Sequence, residues 1–191
     1  SLMRFFILTL ISLQIAQAKN CLFTPDTSKT KLTWTAYKTP EKVGVDGSFD
    51  SISYKFSNKA NSIEKLITGT NFSIATESTN SGNPARDKKL VDFFFNELIG
   101  NKLIKGSFKS IDKKKKMAVA QTTFNGVTKK INLNYKFEND ILELNGKIDV
   151  LDFALGKQLE AINKACFDLH KGKTWSEVNL LIQVPVSTVC N

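Results

Sequence analysis

Apolar and polar residues alternate with a period of two along most of this chain. The clearest example is residues 131–137, INLNYKF, in which every second residue is apolar. Such alternation is typical of antiparallel strands with one buried face. Turn-forming pairs, including Asn125-Gly126 and Asn139-Asp140, separate the alternating segments. The pattern predicts strands over residues 32–37, 43–49, 52–56, 66–74, 104–108, 117–124, 131–137, 142–148 and 178–186.

The number and spacing of these segments predict one closed sheet. Strands joined by short turns are typical of an up-and-down meander, and a large sheet removes its exposed edges by closing on itself. Pro185 indicates a bulge or an edge position late in the last strand, because proline has no backbone N–H. We therefore predict an all-β fold with two short helices, in which the sheet forms an antiparallel barrel of about eight strands.

Two segments carry apolar residues at helical spacing. In residues 84–95, Leu90 and Phe94 lie four residues apart, and Phe93 and Phe95 flank Phe94. The apolar face of residues 156–170 is marked by Leu155, Leu159, Ile162, Cys166 and Leu169. Three exposed aromatic rings in a row would promote aggregation, so we expect at least some of them to be covered. Both helices are predicted to lie across a mouth or a wall of the barrel, with Phe93 and Phe94 plugging one end and Phe95 under the second helix.

The first residues have the pattern of an export signal. Ser1-Leu2 precede Met3 and are interpreted as a leftover of expression. The following segment has a basic start, a short apolar run and an Ala-Gln-Ala exit, which predicts a secretory signal peptide cleaved after Ala18. An uncleaved anchor is the alternative, although the apolar run is shorter than a spanning helix needs. We expect residues 1–18 to be removed and residues 19–191 to form a single domain in the bacterial periplasm.

Three cysteines remain in the exported part. In an oxidising compartment two of them are expected to pair. Cys21 and Cys190 lie at the two ends of the domain, and the ends of a closed barrel usually meet, so we favour a bridge between them. Cys166 lies on the apolar helix face and is expected to be a buried thiol.

The chain is basic, with a formal net charge of +9. Its lysines are spread along the sequence, apart from a cluster at Lys113–Lys116 that is interpreted as a solvated hairpin tip. No aromatic residues accompany this cluster, so nucleic-acid binding is not expected. The charge is compatible with transient contact with an anionic membrane surface.

The sequence offers few groups for catalysis. His170 is the only histidine, so neither a histidine dyad nor a histidine-rich metal site can form. The cysteines lack C-x-x-C spacing, and neither a phosphate-binding glycine loop nor a G-x-S-x-G motif is present. Carboxylate pairs such as Glu138 with Asp140 are interpreted as surface charge. We expect no enzymatic activity, no metal and no cofactor.

Four blocks of sequence resemble the YceI-like family of exported bacterial proteins. They are KLTWTAYKTPEKVGVDGSFDSI, RDKKLVDFFFN, TFNGVTKKINLNYKF and DFAL. In the second block, Arg86, Asp87, Leu90 and the phenylalanines match the family pattern R-D-x-H-L followed by F-F-D. The chain departs from that pattern at Lys89, Asn96 and Ala154, where the family has His, Asp and Gly.

The resemblance implies a lipocalin-like barrel that binds a long isoprenoid or fatty-acyl chain. The expected function is to carry or sequester such a polyisoprenoid, quinone or fatty-acid derivative. Arg86 and Asp87 are expected either to meet a polar ligand head or to hold a loop. The residues predicted to contact ligand are Trp34, Ala36, Val45, Phe49, Phe72, Ile74, Phe93, Phe94, Phe108, Leu133, Tyr135, Leu144, Ile148 and Leu180.

Periodicity alone is equally consistent with a filled core. In that case the chain would be a basic, non-enzymatic adaptor that docks on anionic membranes or acidic partners. If the interior is instead open, as the family resemblance implies, space for a ligand is predicted at Ala36, Gly69, Gly106 and Gly146. Val119 is predicted to point inward. A homodimer is a further possibility, because exposed strand edges can pair.

Overall fold

The computed structural model describes residues 19–56 and 59–191. The predicted leftover and signal peptide, residues 1–18, lie outside the described residues. The strands are β1 (Cys21–Pro25), β2 (Lys31–Lys38), β3 (Val43–Phe49), β4 (Ile52–Lys55), β5 (Asn71–Ala75), β6 (Thr79–Asn80), β7 (Leu103–Asp112), β8 (Met117–Phe124), β9 (Val127–Glu138), β10 (Ile141–Asp149) and β11 (Thr174–Cys190). The helices are α1 (Ile63–Thr68), α2 (Pro84–Leu90), α3 (Gly156–Ala165) and α4 (Phe167–His170).

The strands form one antiparallel sheet that curls until its two ends meet. Its order is β4-β5-β7-β8-β9-β10-β11-β2-β3-β6, with β1 paired to β11. The ends meet because β3 leads directly into β4 and β5 leads into β6. Two backbone hydrogen bonds close the join, from Asp50 N to Ser78 O at 2.9 Å and from Ala75 N to Ser51 O at 3.0 Å.

The predicted fold class is confirmed, but the strand count is higher than expected. The 11-stranded sheet contains a strand for each of the nine segments that the sequence indicated, with β3 and β4 on either side of a bend at Asp50 and Ser51. The short strands β1 and β6 add the rest. These segments are too short or too irregular to produce a long alternating pattern.

The long strand β11 has different partners along its length. It pairs with β10 on one side, and with β2 and then β1 on the other. Pro185 lies where the partner changes from β2 to β1. The Pro185 carbonyl accepts a hydrogen bond from Asp26 N at 2.8 Å, so the proline nitrogen faces the turn between β1 and β2. The missing N–H therefore falls at an interruption of the ladder, as the sequence suggested.

A disulfide joins the ends of the described chain. The pairing of β1 with β11 places Cys21 opposite Cys190, with their Cα atoms 4.0 Å apart. This is the bridge predicted from the location of the two cysteines at the ends of the domain. Cys166 is a buried free thiol.

Helix α1 closes one end of the barrel, and the sequence pattern missed it. Ile63, Leu66 and Ile67 are buried in a core cluster with inward residues of β8, β9, β10 and β11. Ser62 caps the helix by accepting a hydrogen bond from Lys65 N at 3.1 Å. The predicted strand over residues 66–74 therefore begins only at β5, because a short helix with three apolar residues resembles an apolar strand.

The two predicted helices cover the opposite end of the barrel. Helix α2 begins at Pro84 after the cap Asn83, and the chain continues beyond Leu90 as a π-helical turn over Val91–Phe95. The second predicted helix is divided at Cys166 into α3 and α4. The covered side chains from both segments form one core cluster that contains Phe94, Phe95, Phe124, Val150, Phe153, Leu155, Ile162 and Cys166.

The inward face of β8 is the opposite of the one predicted. Ala118 and Ala120 are buried, at 0% and 2% exposure, whereas Val119 is only partly buried. Phe124 shares the phase of the two alanines, so it fixes which face of the strand is inward. The larger side chain of Val119 made the other face look like the core face. Two small residues on the true inward face leave room inside the barrel.

Candidate ligand-binding site

The barrel interior contains two apolar cavities, one above the other. The outer cavity, of about 170 Å³, lies beneath the helices α2, α3 and α4. The inner cavity, of about 100 Å³, extends toward α1. Residues that line both cavities are Phe49, Ile104, Phe124, Ile148 and Leu180. Because the two spaces share these wall side chains, the interior resembles one passage narrowed at its middle, and the core is not filled.

Most of the residues predicted to contact ligand line one or both cavities. Of the predicted residues, those that line the outer cavity are Trp34, Ala36, Val45, Phe49, Phe94, Ile148 and Leu180. The inner cavity is lined by Phe49, Phe72, Ile74, Phe108, Leu133, Leu144, Ile148 and Leu180.

Phe93 points away from both cavities. It is 42% exposed, whereas its neighbours Phe94 and Phe95 are each 8% exposed. The π-helical turn directs the two later rings inward, and they pack edge to face with centroids 5.2 Å apart. Phe95 lines the outer cavity and also packs against Phe49. Phe94 and Phe95 therefore line the outer cavity, and Phe93 does not.

Tyr135 lies among the core residues next to α1 and lines neither cavity. Its hydroxyl donates a hydrogen bond to Glu64 Oε1 at 3.0 Å. The Lys116 ammonium lies 5.5 Å from the centre of its ring. These contacts join β9 to α1, so the residue helps to close the end of the barrel and does not contact the cavity.

Two glycines allow aromatic rings to lie flat against the barrel wall. Trp34 is opposite Gly47, and a Cβ atom on that glycine would lie 2.1 Å from the indole. Phe72 is opposite Gly106, where a Cβ atom would lie 2.2 Å from the ring. The space predicted at Gly106 is thus filled by Phe72.

The other two glycines that were predicted to leave space for a ligand, Gly146 and Gly69, line neither the outer nor the inner cavity. Gly146 is covered, because a Cβ atom there would lie 2.7 Å from Leu133 Cδ2. Gly69 caps α1 and lines neither cavity. Of the four positions predicted to open space, only Ala36 lines a cavity.

The outer cavity opens to solvent through a polar mouth. Its polar lining residues are Tyr37, Lys38, Arg86, His170, Thr174 and Trp175. They come from the end of β2, from α2, from α4 and from the start of β11. The indole of Trp175 is fixed by donating its N–H to Thr39 O at 2.8 Å. Sequence reasoning missed most of this group, because its members are far apart in the chain.

The imidazole of His170 is held in one orientation. Its Nδ1 lies 2.6 Å from Thr174 Oγ1, whose hydroxyl donates to Asn163 Oδ1 at 2.8 Å. A hydroxyl has one hydrogen to donate, so Thr174 accepts from the histidine and Nδ1 carries a hydrogen. In the neutral ring, Nε2 is then left as a hydrogen-bond acceptor.

Three positive side chains influence this histidine. Burial lowers the pKa of His170, and the charges of Lys38, Lys89 and Arg86 lower it further. We call Lys38, Arg86 and Lys89 the mouth cations. Lys89 donates a hydrogen bond to Ala165 O at 3.3 Å, which places its ammonium beside the end of α3.

Arg86 and Asp87 have separate environments. Asp87 accepts hydrogen bonds from Ser81 N at 2.9 Å and from Ser81 Oγ at 2.6 Å. Its carboxylate therefore fixes the loop before α2. The ion pairs found among the described residues include none between Arg86 and Asp87. Arg86 instead lines the mouth.

The inner cavity contains two hydroxyl groups without protein partners. Within the described residues, neither Tyr54 Oη nor Thr122 Oγ1 forms a hydrogen bond. Burial raises the pKa of Tyr54 to about 12. The third polar lining residue, Thr70, donates to Leu66 O at 2.9 Å. The remaining wall of the inner cavity is apolar, which suits a hydrocarbon chain.

Within residues 19–56 and 59–191, no group of three or more His, Cys, Asp or Glu side chains is arranged to hold a metal ion. In the same residues, none of the helices has the length and apolarity required to cross a bilayer.

The closed antiparallel sheet and its apolar interior define a lipocalin-like β-barrel. The chain belongs to the YceI-like domain family, whose model matches residues 23–185. The family suggested by the four sequence blocks is therefore confirmed. No protein of the curated set matches the chain by sequence.

Solved structures share the fold at low sequence identity. The Burkholderia cenocepacia protein BcnA is 14% identical, with a TM-score of 0.58, covering 85% of this chain and 99% of that one. A polyisoprenoid-binding domain from Saccharophagus degradans, implicated in plant cell wall breakdown, is 15% identical with the same TM-score, covering 85% and 95%. A mutant of the Campylobacter jejuni YceI protein is 22% identical with a TM-score of 0.50, covering 78% and 86%.

Proposed function

We propose that this protein binds a long hydrophobic molecule inside the barrel and carries or sequesters it. The ligand class is a polyisoprenoid, a quinone or a fatty-acid derivative. The observation that carries the proposal is the pair of apolar cavities in the barrel interior, which share five wall residues. Membership of the YceI-like family and the polyisoprenoid-binding domain of Saccharophagus degradans support it.

Apolar burial is sufficient for useful affinity. A chain that hides roughly 400 Å² of apolar surface gains on the order of 10 kcal/mol at ~25 cal/mol per Å². Ordering the chain and losing its free motion offset much of that gain. The expected dissociation constant lies between about micromolar and nanomolar values. No catalytic group is needed for this function, and we propose a binding protein and not an enzyme.

We place this function in the periplasm. The bridge between Cys21 and Cys190 supports the proposal, because disulfides persist in oxidising compartments. The signal-like pattern of residues 3–18 is a second support.

The direct test is to identify what the protein carries. Protein purified without detergent is extracted with organic solvent, and the extract is analysed by mass spectrometry. We expect a long-chain lipid in stoichiometric amounts, or uptake of an added chain by the lipid-free protein. Repeated absence of both would refute the proposal.

A matched pair of variants locates the binding site. Ala36→Trp fills the outer cavity and should reduce uptake of a radiolabelled chain at least about tenfold. Lys105→Trp places the same side chain on an exposed position of β7 and should bind as the wild type does. Equal uptake by both variants would mean that the ligand does not occupy the outer cavity.

Docking on an anionic membrane is a second candidate function, and one surface feature favours it. Phe167 and Leu169 on α4 are 58% and 64% exposed, beside a basic mouth. Exposed apolar residues next to cations suit an interface of anionic lipid headgroups. This function would give salt-sensitive binding to anionic liposomes that survives Ala36→Trp. Loss of liposome binding in a Phe167→Ser and Leu169→Ser variant, but not in Val189→Ser, would support it.

A further inference from the structure

The mouth of the outer cavity concentrates positive charge. Lys38 and Arg86 line it together with His170, and Lys89 lies close enough to act on the same imidazole. The mouth cations are each partly buried. Like charges gathered at a partly desolvated site repel one another and favour the binding of an anion.

Within residues 19–56 and 59–191, these cations have no carboxylate partner. Among the ion pairs of the described residues, none includes Lys38, Arg86 or Lys89. The charges that lower the pKa of His170 come from Lys38, Lys89 and Arg86, which are all positive.

Acidic side chains on the surrounding elements are engaged elsewhere or exposed. Asp87 on α2 is bound to Ser81, and Glu41 in the loop after β2 pairs with Lys171 at 3.1 Å. Asp168 on α4 is exposed. The positive charge of the mouth is therefore available to a bound molecule.

The wall behind the mouth is apolar. Beyond the six polar residues of the rim, the outer cavity is lined by aromatic and aliphatic side chains and by Cys166. A molecule that satisfies both regions has one charged end and a long apolar body. Its charged end would meet guanidinium and ammonium groups, which pair best with carboxylates and phosphates.

We propose that the mouth is a head-group subsite for an anion, so that the ligand is an acidic amphiphile with a carboxylate, phosphate or diphosphate head. This inference rests on the proposed function, and it excludes neutral alcohols and quinones as the preferred ligands. Arg86 and Lys38 hold the head, Lys89 strengthens the local positive potential, and the tail runs through the outer cavity toward α1.

The test compares ligands that differ only in their heads. Hexadecanoic acid is compared with hexadecanol, and a C20 prenyl diphosphate with the corresponding C20 prenyl alcohol. Binding to lipid-free protein is followed by tryptophan fluorescence, since the two tryptophans of the chain, Trp34 and Trp175, both line the outer cavity. We expect each acid to bind at least about tenfold more tightly than its alcohol, and high salt to reduce the difference. The acid with the larger preference identifies the head as carboxylate or phosphate.

Charge variants assign the effect to the mouth. Lys38→Gln with Arg86→Gln should remove the preference for the acid and leave alcohol binding within about twofold of the wild type. The control is Lys113→Gln with Lys114→Gln, which removes the same charge from the β7–β8 turn, near the end of the barrel that α1 closes. The control should keep the full preference.

Each outcome has a separate meaning. If acid and alcohol bind the wild type equally, the anion subsite is refuted and the proposed function stands. If neither binds, the proposed function fails as well. If the preference survives in the Lys38 and Arg86 variant, or is lost in the control, the effect is general electrostatic attraction and the assignment to the mouth is wrong. The wild-type comparison remains decisive even where a variant does not fold.

Discussion

Replacing Gly47 by alanine tests whether the glycine is what allows Trp34 to lie against the wall. The added Cβ atom would lie 2.1 Å from indole carbon Cζ2, well inside contact distance. The ring must therefore move, and the lumen is the side on which there is space. The movement also weakens the hydrogen bond from Trp34 Nε1 to Ser48 O, now 3.2 Å long.

The free energy of unfolding should fall by about 1–3 kcal/mol. Overpacking of a well-packed site costs about 1–3 kcal/mol, and losing the indole hydrogen bond costs about 0.5–1.5 kcal/mol. Replacing a strand glycine by alanine returns about 0.5–1 kcal/mol of chain entropy. The displaced ring should also occupy part of the outer cavity and weaken ligand binding.

Urea unfolding followed by circular dichroism measures the first effect, and ligand titration measures the second. Gly44→Ala, in the same strand, is the matched control, because its nearest neighbour would be Thr35 Cγ2 at 3.3 Å. We expect the control to change stability by less than about 0.5 kcal/mol. Equal stability of the Gly47 variant and the wild type, or equal loss in both variants, would refute this reasoning.

The disulfide and the partly buried imidazole of His170 each lead to a further prediction. Cys21→Ser with Cys190→Ser should lower the free energy of unfolding by about 2–5 kcal/mol in urea titrations, while Cys166→Ala changes far less; an unchanged midpoint would contradict this. The folded pKa of His170 lies below the ordinary value of 6.5, so the unfolded state binds more protons as the pH falls through 6.5. The contribution of His170 to the free energy of unfolding is therefore fully present above pH 6.5. It is lost as the pH falls below 6.5 toward the pKa of the folded state. Proton NMR of the single histidine should give a pKa below 6.5 that rises when hexadecanoic acid binds; a ligand-free value at or above 6.5 would be inconsistent with the mouth cations acting on it.

The barrel could be predicted from sequence because its longer strands alternate cleanly. Residues 131–137 form the centre of β9, with Leu133 and Tyr135 buried as the pattern required. The pattern failed where side-chain size gave the wrong phase, as for Val119, and where a short apolar helix resembled a strand, as for α1. Alternation reports which residues share a face, but not whether that face meets a void or another side chain.

The mouth was harder to predict than the wall. Its charged residues come from three distant parts of the chain and meet only in the folded protein. Arg86 was noticed because of its family pattern, whereas Lys38 had no local signal. His170 looked like an isolated residue at a helix end, and its contact with Thr174 depends on the chain turning back into β11.

The strand β11 separates the mouth from both ends of the described chain. Thr174 lines the mouth at its beginning, and Cys190 holds the bridge to Cys21 at its end. The intervening strand is roughly 50 Å long when followed along the backbone. The protein can therefore be tethered to a bead, a sensor chip or a fusion partner beside the Cys21–Cys190 bridge while the opening through which a guest molecule loads stays free.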